Sequence, residues 1–156
     1  FLTMTNRFNV GPKLLGFSKN FLVIEYLDGE KIGKWINKLK EKPNVAQLKK
    51  IIKKTLTDCY KLDKIGLDHG ELSNITKHVI VGKKITILDF ESSSVDRRVS
   101  NVTSATQAFY IGSGISKIVN PLCKPSRKSK IISVLRKYKT EQTKENFLDL
   151  LKVLNL

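Results

Sequence analysis

Acidic residues are scarce in this chain. Fourteen Asp and Glu stand against 29 Lys and Arg, a formal net charge of +15. That imbalance favours polyanionic partners: nucleic acid, anionic surfaces or nucleotide phosphates. Cysteine is also rare. Cys59 and Cys123 lie far apart with no metal-ligand spacing, so they read as ordinary reduced thiols rather than a disulfide framework. His69 and His78 have no cysteines at ligand spacing either, which excludes a His/Cys zinc set. No apolar run is long enough to span a bilayer, and no signal-peptide pattern opens the chain. The expectation is a cytoplasmic protein with no membrane partner. The chain begins at Phe1 rather than Met, which reads as a trimmed or partial chain. Repeats and low-complexity tracts are lacking as well.

What is present suits one domain with a real core: 156 residues, 40% hydrophobic. The positive charge gathers in two clusters. Lys38, Lys40, Lys42, Lys49, Lys50, Lys53 and Lys54 form one. Lys124, Arg127, Lys128, Lys130, Arg136, Lys137 and Lys139, with no acid between them, form the other. Each reads either as a solvated surface or as a patch for RNA or an acidic protein.

Leu2, Met4, Thr5 and Phe8 fit one face of a helix that Gly11 and Pro12 stop. A strand from Leu14 and a continuous apolar run, FLVIEYL at 21–27, flank a turn at 18–20 and predict a hairpin with its second strand buried. DGE then breaks the chain. Residues 31–40 predict a short helix carrying Ile32, Trp35, Ile36 and Leu39. Asn44, with Gln47 in capping-box position, is the N-cap of a long amphipathic helix reaching about Leu62. HVIV at 78–81 and KITILDF at 84–90 predict a second hairpin around Gly82. A polar loop at 91–100 leads to one helix over 101–119. Pro121 and Pro125 bracket a linker, and helices over 126–139 and 141–154 finish the chain. The fold class is α+β, with helix dominant.

Two acids stand out. Glu71 follows the long helix, and Asp89 ends the apolar run ITILD. A carboxylate at the tip of a buried strand is costly unless it holds a cation or a hydrogen-bond donor. Two such acids brought together suit Mg²⁺ with a nucleotide, or one suits a metal while the other accepts a hydroxyl proton.

The order of motifs carries a resemblance. HGEL at 69–72, followed by DFE at 89–91, resembles the catalytic loop and metal-binding motif of the protein-kinase-like fold. LDHGELS and KHVIV are similar to archaeal-type atypical serine/threonine protein kinases, relatives of the RIO and tRNA-modification-linked kinases. DFE also resembles aminoglycoside and choline phosphotransferases. VGPKLLGFSKNFLVIEYLDGEKI is similar to the last small-lobe strands and the hinge.

The resemblance implies a remnant of the N-lobe over 1–27 and a helical C-lobe over 28–156. It implies ATP and Mg²⁺ as cofactors and a protein hydroxyl as acceptor. Asp89 would hold the metal, with Phe90 packed under it and Asn74 as a second metal ligand. Glu71 would stand at the proton-accepting position, buttressed by His69. The backbone around Glu25, Tyr26 and Leu27 would meet adenine.

The sequence also departs from the pattern. Glu71 replaces Asp. Thr76 stands where the pattern places its metal-binding Asn, and Asn74 comes too early. No glycine-rich loop and no strand lysine occur in these residues, so the chain by itself reads as truncated, and weakly active or inactive. Two other readings accompany the kinase: an inactive basic module binding RNA or an acidic protein, and a small-molecule phosphotransferase. Ser92, Ser93, Ser94 and Ser100, beside Arg97 and Arg98, read as a polar loop or as a phosphorylation segment.

Overall fold

Asn44 begins the element around which the molecule is built. In the computed structural model, which describes residues 1–156, its side-chain oxygen accepts the Gln47 N–H at 3.0 Å. The cap satisfies a backbone donor that no preceding turn can reach. The helix it starts runs from Val45 to Lys64. Leu48, Ile51, Ile52, Leu56, Cys59 and Leu62 lie fully buried along one stripe, and most of the lysines face out.

Eight α-helices, five short strands and one 3-10 turn make up the chain, about 51% of it helical. In order they are α1 (Leu2–Asn6), β1 (Leu14–Phe17), β2 (Leu22–Ile24), β3 (Gly29–Lys31), α2 (Ile32–Lys38) and α3 (Val45–Lys64). A 3-10 turn at Leu72–Asn74 leads into α4 (Ile75–His78), β4 (Val79–Gly82) and β5 (Ile85–Ile87). The rest is α5 (Asn101–Tyr110), α6 (Ser116–Cys123), α7 (Lys128–Thr140) and α8 (Lys144–Val153). The class is therefore α+β with small antiparallel sheets. No helix is long and apolar enough to cross a membrane.

The core lies between α3 and α5, where Val102, Ala105 and Phe109 meet the α3 stripe. Against it stand β5 on one side and α6 on another. The α7–α8 pair closes the far end, with Tyr60 stacked on Phe147 at 4.5 Å between ring centres. Both thiols, Cys59 and Cys123, are free and buried, and burial pushes each above its ordinary range.

Four expectations need correction. First, β2 is not buried. β1 and β2 pair as expected, with a bulge between Leu14 and Gly16, but they form a sheet of only two strands. No third strand joins it, and Phe17 (75% exposed), Phe21 (74%) and Tyr26 (90%) face solvent.

Second, DGE does not simply break the chain. Gly29–Lys31 pairs antiparallel with β4, giving a three-stranded sheet in the order β3-β4-β5. Gly29 is needed there, because a Cβ would stand 2.6 Å from the Val81 carbonyl oxygen.

Third, the helix expected over 101–119 is two. Gly112, at φ +76°, sits in the break between α5 and α6. Pro121 lies inside α6 rather than in a linker, and Lys124 ends that helix in the left-handed conformation.

Fourth, the sequence pattern assigns no element over 73–77, and the 3-10 turn and the single turn of α4 occupy that stretch.

Candidate functional site

The stretch from Leu67 to Glu71 is fixed by buried acids on both sides of it. Asp63, near the end of α3, accepts the backbone N–H groups of Asn101 (3.0 Å) and Val102 (3.3 Å), the Asn101 amide (2.8 Å) and the Tyr138 hydroxyl (2.9 Å). It thus caps the start of α5 with a carboxylate, which the helix dipole favours. Burial pushes its pKa up, against the pull of these donors. Asn101 in turn donates to the Leu67 carbonyl (2.7 Å) and accepts the His69 N–H (2.8 Å).

Asp68 works outward. It accepts from Arg97 Nε (3.1 Å) and from the backbone and hydroxyl of Ser100 (3.0 and 3.2 Å). Its own backbone pairs with Ser94 in an isolated antiparallel bridge. Arg97 also donates to the Ser92 carbonyl, and Arg98 donates to the Lys139 carbonyl, both at 2.6 Å. Both arginines of the serine-rich loop are therefore already engaged. Gly70 sits in this clamp at φ +88°, and a Cβ on it would lie 2.5 Å from Arg97 Nη2 and 2.8 Å from the Ser92 carbonyl oxygen. Strain and lack of space both require glycine there.

His69 is fully buried. Its Nε2 donates to the Leu88 carbonyl at 2.7 Å, which leaves Nδ1 to accept the Glu71 N–H at 3.4 Å. The ring packs against Phe90, 5.1 Å between centres, and edge-on against His78 at 5.6 Å. Burial, more than any neighbour, holds its pKa below the ordinary histidine range. With both nitrogens engaged, His69 positions the loop and the strand end; it offers no free group to a reactant.

This framework brings Glu71 and Asp89 together. They approach around His78, the residue where α4 passes into β4. His78 Nε2 lies 3.2 Å from Glu71 Oε2, and Nδ1 lies 3.9 Å from Asp89 Oδ2. One ligand atom from each of the three residues falls within 4.8 Å of the other two. Glu71 Oε1 also accepts the Ser92 hydroxyl at 2.9 Å. Asp89 is half exposed and adopts φ +69°, a left-handed conformation costly for a residue with a Cβ. That backbone turn lets Phe90 tuck under the strand end, where its ring lies against Gly11.

Asn74 is not the third member of this group. Its Oδ1 accepts the Thr76 hydroxyl at 2.9 Å, and it lines a separate cavity with Asn37, Lys40 and Ser113. His78 stands there instead. The signal for His78 in the sequence is its position, directly ahead of the apolar run VIV that leads into the hairpin ending at Asp89.

Asp89, Leu88, Phe90 and Glu91 form one wall of a cavity of about 810 Å³. Phe1, Leu2 and Thr3 border it, and the β1–β2 hairpin supplies Leu14, Phe17, Phe21, Leu22 and Ile24. An apolar cleft of this size with acids at its rim has the character of a small-molecule site. Glu25, Tyr26 and Leu27 do not line it. Glu25 accepts the Lys13 N–H at 2.9 Å and pairs with Lys84 at 3.4 Å. The Lys13 bond, ahead of the charges, holds its pKa down. Leu27 is half-buried.

Mg²⁺ takes oxygen ligands and often one or two carboxylates plus substrate phosphates. Asp89 and Glu71 meet that requirement, and Asp89 opens onto the cavity.

No protein-family model matches the chain. It is similar to the uncharacterized protein MJ1211 of Methanocaldococcus jannaschii, 28% identical over 96 residues that make up 62% of this chain and 79% of that protein.

Proposed function

We propose that the chain carries the catalytic-loop and metal-binding half of a kinase-like phosphotransferase, which moves a phosphoryl group from ATP to a protein serine or threonine hydroxyl. The observation that carries this reading is the meeting of Glu71 with Asp89, which stands on the wall of the apolar cavity. These two acids, well separated in sequence, are brought together by His69, which bonds the backbone ahead of Asp89 and the backbone of Glu71.

Asp89, whose carboxylate is half exposed, would hold Mg²⁺. The ion would supply positive charge against the phosphoryl group in transfer. Glu71 accepts the hydroxyl proton of the acceptor; its second oxygen is steadied by Ser92. Phe90 and the hairpin line the ATP side of the cleft. The glycine-rich loop and strand lysine that usually cradle the phosphates have no counterpart in these residues. The chain alone therefore holds ATP weakly, and transfer by it is slow.

The test is transfer of labelled γ-phosphate, with Mg²⁺, to a panel of protein and small-alcohol acceptors. Asp89→Ala should reduce it about 100-fold or more. Equal rates in wild type and Asp89→Ala overturn the reading. Transfer to aminoglycosides or choline alone reassigns the acceptor to the small-molecule class.

A second reading, a basic module for RNA or an acidic protein, is favoured by one observation. Lys50 and Lys54 of α3, Lys83 and Lys84 of the β4–β5 turn, and Lys13 line a single cavity of about 760 Å³. Only Glu25 and Asp58 oppose them there. Affinity for single-stranded RNA should then fall with a log–log salt slope of about −2 or steeper. A flat response removes this reading.

A further inference from the structure

We propose that His78 is a direct ligand of the cation at Asp89, through Nδ1, and that the site therefore selects Mn²⁺ over Mg²⁺. The inference rests on the reading above only in taking Asp89 to hold a divalent cation.

The two ring nitrogens stand beside different carboxylates. Nε2 lies 3.2 Å from Glu71 Oε2, a close contact of ring and carboxylate. Nδ1 lies 3.9 Å from Asp89 Oδ2. Two ligand atoms that each lie about 2.1 Å from one ion stand at most about 4.2 Å apart, and about 3.0 Å apart at right angles. The pair is already inside the outer limit. A rotation of the half-exposed Asp89 carboxylate brings it to the inner one.

The remaining contacts complete a carboxylate–histidine–metal arrangement. A ligating histidine almost always donates its other N–H to a carboxylate or carbonyl, which fixes the tautomer and raises the basicity of the ligating nitrogen. Glu71 Oε2, 3.2 Å from Nε2, is the carboxylate placed to take that role once the metal is bound. Glu71 is itself held by Ser92 and by the His69 ring through its backbone. The edge of the buried His69 ring fixes the plane of His78 from behind. His78 thus stands between Glu71, Asp89 and the His69 ring.

Donor chemistry then decides the ion. Carboxylates suit Mg²⁺, Ca²⁺ and Mn²⁺, whereas imidazole suits transition metals. A set of one imidazole, one or two carboxylates and substrate oxygens fits Mn²⁺ from both sides. Mg²⁺ gains little from a nitrogen and dehydrates reluctantly.

The experiment uses the whole chain without nucleotide. Mn²⁺ binding is titrated by loss of the free-ion electron paramagnetic resonance signal, and Mg²⁺ is added in competition. Electron spin-echo modulation then asks whether nitrogen-14 is coupled to the bound ion. The expected result is one Mn²⁺ per chain, bound at least tenfold tighter than Mg²⁺, with clear nitrogen modulation. His78→Asn should abolish the modulation and lower the Mn²⁺/Mg²⁺ preference about tenfold. Glu71→Gln should keep the modulation and weaken Mn²⁺ roughly 10- to 100-fold.

Absence of nitrogen modulation in the wild type overturns the proposal, as does full modulation in a folded His78→Asn. If His78→Asn does not fold, Asp89→Asn serves in its place, because that side chain is half exposed; unchanged Mn²⁺ affinity in it also overturns the proposal. None of these readouts depends on phosphoryl transfer, which is measured separately. Nitrogen-bound Mn²⁺ in a protein with no transfer activity keeps this inference and sinks the kinase reading, whereas Mg²⁺-driven transfer without a nitrogen signal does the opposite.

Discussion

His69 and Leu88 are joined by a 2.7 Å hydrogen bond from Nε2 to the carbonyl. That bond ties the loop carrying Glu71 to the strand end carrying Asp89. Burial keeps the ring neutral, so that Nδ1 can accept the Glu71 N–H, and this gives the first prediction.

Burial holds the folded-state pKa of His69 below its ordinary value of 6.5. The unfolded chain therefore binds more protons between the depressed value and 6.5. The stability from this group is fully present above about pH 6.5 and is lost as pH falls through the folded value. Urea midpoints measured from about pH 8 to about pH 5, with chelator present, should fall more steeply in wild type than in His69→Gln. Asp58 and Asp63, raised by burial, act in the opposite direction over a window that starts at their ordinary 3.8. The difference between the two proteins isolates the histidine.

Asn101→Ala removes both amide bonds, to Asp63 and to the Leu67 carbonyl, and the acceptor for the His69 N–H. Buried groups left without partners cost about 1–3 kcal/mol each, partly shared on relaxation. A loss of about 3 kcal/mol is expected in urea unfolding. Protection of the 67–70 amides from hydrogen exchange should drop with it.

Gly70→Ala combines a left-handed φ with a Cβ jammed against Arg97 and the Ser92 carbonyl. A destabilisation of about 2 kcal/mol follows. The Arg97–Asp68 pair should be displaced. Thermal unfolding and the arginine side-chain resonances check the two effects separately.

Phe17→Ser and Phe21→Ser test the exposure of the hairpin. Both rings are largely exposed, so each change should alter stability by no more than about 0.5 kcal/mol. A loss of about 2 kcal/mol or more at either position contradicts the exposed arrangement.

Cys59 and Cys123 should resist thiol reagents in the folded state. Both are buried, and burial disfavours the thiolate at each. Labelling with a disulfide reagent at about pH 8 should proceed at the unfolding rate and become immediate in denaturant.

The elements legible in the sequence are those fixed locally. Asn44 with Gln47 marks its helix because the cap bond closes within the first turn, and the stripe from Leu48 to Leu62 repeats at the helical period. The two hairpins follow from apolar runs around short turns. β3 is hidden because Gly29–Lys31 has no apolar pattern; it exists only through pairing with Val79–Gly82, a segment distant in sequence. The burial expected of β2 fails for a related reason. An apolar run predicts burial only if something covers it, and here most of the hairpin stays open to solvent. At the site, Glu71 and Asp89 are legible because acids beside apolar strands need a partner. His78 is not, since its role depends on which ring nitrogen faces which carboxylate, and that is set by α4, the 69–71 loop and the strand end together.

The cavity beside Asp89 has walls from two parts of the chain, the segment from Phe1 to Ile24 and the segment from Leu88 to Glu91. The hairpin half meets the rest of the chain through Phe90 against Gly11, the Lys61 ammonium donating to the Phe8 carbonyl at 2.9 Å, and the Glu25–Lys84 pair. A molecule seated in the cavity touches both halves at once and so acts as a rivet. Its occupancy should register as slowed amide exchange in the hairpin, away from the acids that recognise it.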